Sequence, residues 1–154
     1  MERVTGGPQA RAASVQLPAD HEVAYARLLG KIAIASNEAR TIESALQTCV
    51  DAVCEHAGWP IGHAYLVDEE TGELVPTGVW HLDDEERFRG SKERTEATRL
   101  PPGHGLLGRV VATGKPVWVA DVTRDPSFMR DGGGNPEVRA ARAFPILAGT
   151  EVVG

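Results

Sequence analysis

The sequence predicts an α+β protein, and three observations lead there. Apolar or small residues recur in alternating steps of three and four from His21 to Ala57, which is the repeat of a helix face. After Gly58 the repeat drops to two, the repeat of a strand, and the tight turn 68–72 folds that strand back on itself. Beyond it, a short apolar helix closed by a glycine leads into further short strands. A length of 154 residues suits one domain with a sizeable core.

The first twenty residues mix Gly, Pro, Ala and Arg without a continuous apolar run and read as a disordered lead-in, leaving 21–154 as the folded unit. The helical seam runs through Tyr25, Leu28, Ile32, Ala35, Ala39, Ile42, Leu46, Cys49 and Val53. Ser36 and Asn37 compete for backbone hydrogen bonds and set a break there, Thr41 suits the cap of a second helix, and Gly58 with Pro60 stops it. The second helix is expected to face the core. The first, through Tyr25, Leu28, Ile32 and Ala35, is expected to pair with a second copy of the chain. Ile61, Ala64, Leu66 and Val67 make one strand and Leu74 to Trp80 its partner. By alternation His63 and Tyr65 share one face and Ala64 and Leu66 the other. The stretch 83–96, DDEERFRGSKERTE, is polar nearly all round with Phe88 its one large apolar group, and reads as a mobile lid or surface helix. Leu106, Leu107, Val110 and Val111 space the short helix that Gly114 ends, and Val117 to Ala120 form a strand. A last helix over Pro136–Arg142, a buried strand over Ala143–Leu147, a turn at Gly149 and a strand from Glu151 complete the chain.

Composition excludes several classes of function. The net charge is −6 with basic residues scattered among acids, which leaves no cradle for nucleic acid. No apolar run approaches the ~20 residues of a membrane span, so a cytoplasmic protein is expected. Cys49 and Cys54, five positions apart on one helix, point roughly 140° away from each other and read as small buried hydrophobes rather than a disulfide or a zinc pair. No metal site is expected. The motifs of serine hydrolases, phosphate-binding loops and zinc proteases are absent from the sequence, which argues against catalysis.

The segments CEHAGWPIGHAYLVD, GHGLLGRVVATGKPVWVADV and AFPILAGTEVVG, in that order, resemble the GAF domain, the small-molecule-sensing module found upstream of histidine kinases, cyclic-dinucleotide enzymes and phosphodiesterases. The resemblance covers about residues 25–154, and the GWPIGH and Trp80–Asp83 words bring it near the GAF units of bacterial sensor kinases. It implies a central antiparallel sheet with helices packed on one face and a ligand pocket on the other, roofed by mobile loops. It also implies a last strand and a C-terminal helix that would follow Gly154 and are missing from this sequence.

The ligand itself is left unknown by the resemblance. The cyclic-nucleotide signature is absent, and the segment 122–135 has no cysteine to hold a bilin covalently. The histidine that haem-binding members place about ten residues before the late proline falls on Asn135, so haem is disfavoured, with His63, His81 and His104 as the remaining imidazoles. Methionine sulfoxide reductases of this type need cysteines in the pocket loops, whereas both cysteines here lie on the early helix. The candidate pocket residues are Trp80, His81, Phe88, Trp118 and Phe128 as walls under a lid, with His104, Asp121 and Arg142 for polar contacts. His104 stands between glycines at a helix start suited to an anion, and Arg142 suits charge recognition. The function expected is that of a non-catalytic sensory domain whose ligand reorients the N-terminal helix; a ligand-free dimerisation spacer is the alternative.

Overall fold

The structure, a computed structural model, describes residues 19–125 and 138–154. Helices α1 (Ala19–Glu38) and α2 (Ile42–Ala57) form a hairpin whose helices pack against each other. The break falls at 39–41, three residues later than the sequence suggested, because Ser36 Oγ donates back to the Ile32 carbonyl at 2.9 Å and stays within the helix. Thr41, in extended conformation, caps α2. Its Oγ1 accepts from the Ser44 N–H at 3.2 Å, and Ser44 Oγ accepts from the Thr41 N–H at 3.4 Å. Gly58 closes α2 at φ 66°, a left-handed angle that only glycine adopts cheaply. Leu28, Ile32 and Ala35, expected at a dimer seam, are half-buried here, while Tyr25 is 53% exposed. Lys31 Nζ bonds Glu55 at 2.9 Å across the exposed rim of the pair.

Strands β1 (Ile61–Val67) and β2 (Leu74–Leu82) pair antiparallel around a turn in which Asp68 Oδ1 accepts from the N–H groups of Glu70 and Thr71 and from the Thr71 hydroxyl. Those bonds, the Thr71 N–H first, hold the Asp68 carboxyl below its ordinary pKa. Between the pairs His63↔Trp80 and Tyr65↔Pro76 the register slips, leaving three residues of β2 opposite Ala64, with Gly78 at φ 76°. Among the described residues the outer edge of β2 pairs with Leu100 alone, through two backbone bonds at Leu74.

Ala64 and Tyr65 are both buried, at 7% and 4% exposure, and since neighbours on a strand point to opposite faces, both faces of β1 are covered. Ala64 meets Leu46 of α2 and Val79, with Val50, Leu66 and Ile146 around them. Tyr65 donates its hydroxyl to the Thr95 carbonyl of α3 (Glu85–Glu96) at 3.1 Å. Of the two readings of this stretch, a mobile lid or a surface helix, it is the helix that forms, and it is docked on the sheet. Asp84 caps it, and Phe88, Ser91 and Thr95, at steps of three and four, are turned inward at 1%, 8% and 2% exposure. One phenylalanine and two small polar residues suffice for the buried stripe.

Helix α4 (Gly105–Thr113) covers β3 (Val117–Val119) and β4 (Ala141–Ala143) through Leu106, Val110 and Ala143, with Val117, Val119 and Ala141 beside them. The expected helix over Pro136–Arg142 is corrected here. Residues 138–140 have no regular structure and Ala141–Ala143 pair antiparallel with β3, the cross-strand bonds overriding an alanine-rich helical propensity. Residues 136 and 137 lie outside the described residues. The expected strand Ala143–Leu147 is interrupted after Ala143, where Pro145 lacks an N–H to donate. Beyond it, β5 (Leu147–Ala148) and β6 (Glu151–Val152) flank the turn at Gly149. The chain end lies beside β1, where Val67 N–H donates to the Val153 carbonyl at 2.8 Å. The architecture is α+β with antiparallel strands throughout. No helix among the described residues is long and apolar enough to cross a membrane.

Candidate functional site

At the outer edge of β2, between α2 and α3, lies a polar cavity of about 300 Å³. Alternation along β2 sends Trp80 toward α3 and His81 toward α2, so the strand end supplies both walls. On the α2 side, His81 Nδ1 lies 2.8 Å from Asp51 Oδ1, while Gln47 Nε2 donates to Asp51 Oδ2 at 3.1 Å and to the Trp80 carbonyl at 2.8 Å. Gln47 and Asp51 are four residues apart and therefore share a face of α2. On the α3 side, Trp80 Nε1 donates to Glu96 Oε1 at 3.0 Å, and Glu85 and Lys92 complete the rim. Beneath it runs a ladder of rings: His63 sits 4.7 Å from Trp80 and 5.4 Å from Tyr65, centroid to centroid.

The cavity offers paired hydrogen-bonding groups of both signs: the Asp51 and Glu85 carboxylates, the Lys92 ammonium, the Gln47 amide and the His81 imidazole. Such a lining orients a small polar molecule. A larger groove, about 630 Å³ and more open, lies at the α1–α2 junction beside Ile34, Arg40 and Thr48; it takes in Ala35 of the expected dimer seam but none of the candidate pocket residues. Among the described residues no group of three His, Cys, Asp or Glu side chains is placed to hold a metal ion.

The other candidates lie elsewhere. Phe88 is fully buried beneath α3. Trp118 and Arg142 face each other across β3–β4 on the side away from α4, where the Arg142 guanidinium lies 3.9 Å over the Trp118 ring and 5.5 Å over that of Trp59. Trp59 and Trp118 are 6.1 Å apart and tilted at 47°. His104 stands exposed at the start of α4, with Nδ1 3.0 Å from the Pro102 carbonyl, and makes no side-chain cap. Asp121 caps a short 3₁₀ turn, Val122–Arg124. Its Oδ1 accepts from the Thr123 hydroxyl at 2.6 Å and the Thr123 N–H at 3.0 Å, and these bonds hold its carboxyl below the ordinary range. Phe128 lies outside the described residues.

The structure therefore brings Trp80 and His81 into one cavity and separates them from Phe88, His104, Trp118, Asp121 and Arg142. Sequence reasoning missed Gln47, Asp51, Glu85 and Lys92. The one available signal was the pair Gln47 and Asp51, two polar residues at helical spacing beside an apolar seam.

Both cysteines are on α2. Burial pushes the Cys49 thiol up, and burial, then Asp51 and Glu55, push Cys54 up to about 11. Both remain protonated thiols at neutral pH, the unreactive form.

A family model described as GAF domain matches residues 39–154. Solved structures of similar fold include the free methionine-R-sulfoxide reductase from Neisseria meningitidis in complex with its substrate, at 20% identity over 92% of this chain and 75% of that one, with a TM-score of 0.64. The GAF domain of a phosphoenolpyruvate-protein phosphotransferase from Coxiella burnetii is 24% identical over 85% of this chain and 74% of that one, with a TM-score of 0.64. The A. Aeolicus nlh2 GAF domain in an inactive state is 18% identical over 86% and 76%, at 0.63.

Proposed function

Because this chain belongs to the GAF domain family, a regulatory and sensing fold, we propose that it is the small-molecule sensor of a bacterial signalling protein, a histidine kinase, with no catalysis of its own. The observation that carries this reading is the cavity at the edge of β2, where groups from α2, β2 and α3 converge on one space. A ligand held there touches α2 through Gln47 and Asp51 and α3 through Glu85 and Lys92. Binding then favours whichever spacing of α2 and α3 fits it best, and α2 passes that preference to α1 through the helix hairpin.

The reductase fold-relative raises an enzymatic alternative, and the thiols speak against it. Cys54 is buried beside Gly62 with its thiolate disfavoured, and neither cysteine lines the cavity. A cytoplasmic setting is part of the proposal, since two free thiols suit a reducing compartment. So is homodimerisation through α1, whose Val23, Tyr25, Leu29 and Ile34 are each more than half exposed.

Native mass spectrometry of the purified chain tests the reading. A retained small molecule that is lost in His81→Ala and Lys92→Gln supports it. A molecule retained equally by both variants moves the site elsewhere, and methionine sulfoxide turnover abolished by Cys54→Ala overturns the non-catalytic assignment.

A further inference from the structure

The cavity at the edge of β2 has a charge pattern that narrows its ligand. On the α2 wall the polar groups answer one another. Both Asp51 oxygens are engaged, Oδ1 with His81 Nδ1 at 2.8 Å and Oδ2 with Gln47 Nε2 at 3.1 Å, and the same Gln47 nitrogen reaches the Trp80 carbonyl at 2.8 Å. On the α3 side the Trp80 indole is held by Glu96 at 3.0 Å. Two lining charges are left over: the side chains of Glu85 and Lys92 form no hydrogen bond or ion pair with a described residue. They stand seven residues apart on α3, two helical turns, which puts both on one face about 10 Å apart along the axis. Glu85 lies in the first turn, where a carboxylate also suits the helix dipole. Lys92, half-buried in mid-helix, has no such local reason.

An acid and a base, unanswered and set at opposite ends of one wall, call for the opposite pair on the ligand. A dicarboxylate or a phosphate would satisfy Lys92 and be repelled by Glu85 and Asp51, whereas a diamine would satisfy Glu85 and be repelled by Lys92. An apolar ligand would take water from groups it could not bond, since every lining residue except Gly78 and Leu82 carries a polar group. The volume, about 300 Å³, lies at the small end of ligand sites.

We propose that the cavity takes a small zwitterion, an amino acid in the broad sense, whose protonated amine pairs with Glu85 and whose carboxylate pairs with Lys92. This rests on the reading of the cavity as the sensory site and adds the chemical class of its ligand.

Isothermal titration calorimetry of the whole chain with γ-aminobutyrate, β-alanine and the protein amino acids, set against succinate and putrescine, tests the class, with circular dichroism to confirm that each variant folds. At least one zwitterion should bind about tenfold or more tightly than succinate and putrescine, and Glu85→Gln and Lys92→Gln should each weaken it by a similar factor. Charge reversal should switch the preference, Glu85→Lys toward succinate and Lys92→Glu toward putrescine. A parent chain that binds succinate or putrescine as well as any zwitterion, or no zwitterion at millimolar concentration, overturns the class. The cavity reading is then decided separately, by whether the molecule retained in native mass spectrometry is lost in His81→Ala. A zwitterion bound equally by the parent and both glutamine variants overturns the class and the cavity together.

Discussion

The two halves of the protein are finished differently. In β1–β2 both faces are closed: Ala64 is buried among Leu46 and Val79, and the adjacent Tyr65 bonds α3. In β3–β4 α4 covers one face, and among the described residues the opposite one carries Trp118 and Arg142, both exposed. A strand covered on both sides spends its side chains on stability. It ties three elements together, whereas one covered on a single side ties only two, so the first half should carry more of the stability than the second.

Substitutions that strike one half and spare the other test this contrast. Phe88→Ala empties the most buried large side chain and should cost about 3–5 kcal/mol in urea unfolding. A loss under about 1 kcal/mol would mean that α3 is only loosely docked. Gly62→Ala should cost about 1–3 kcal/mol, because the new Cβ runs into Cys54 Sγ and Val50 Cγ1 where α2 lies on β1.

Cys54 sharpens the contrast by pH. Its folded pKa, about 11, stands above the ordinary 9.0 of the unfolded thiol, so its contribution to stability is complete below pH 9 and is lost as pH rises from there through 11. Urea midpoints across that range should fall, and Cys54→Ala should flatten the slope. The smallest effect belongs to the open face: Trp118→Ala removes a half-exposed ring and its contact with Arg142 and should cost no more than about 1 kcal/mol. A cost equal to that of Phe88→Ala, measured in the same titration, would erase the distinction between the halves.

The legible parts of the sequence were those whose signals are local. The seam of α2, the Thr41 cap, the Gly58 stop and the turn at Asp68 each declare themselves within a few residues, and the structure has them in place. The docking of α3 was hidden because Ser91 and Thr95, polar by type, occupy two of its three inward positions. Strand β4 was hidden because its alanines favour a helix until β3 pairs with them. Trp80 and His81 were named from their place at a strand end, and both line the cavity at the border of β2. Their neighbours Asp51 and Lys92 come from elements thirty residues upstream and eleven downstream of His81, a convergence that only the fold creates.

The free margin of β2 has a consequence for solubility. Leu100 occupies its first residue, Pro76 has no N–H to offer, Gly78 swings the backbone out of line, and the Gln47 side chain takes the Trp80 carbonyl. These interruptions break up the row of backbone groups that an incoming strand would pair with, which disfavours growth of the sheet in that direction. The polar cavity beside this border thus stays open while the border itself makes a poor template for fibrils.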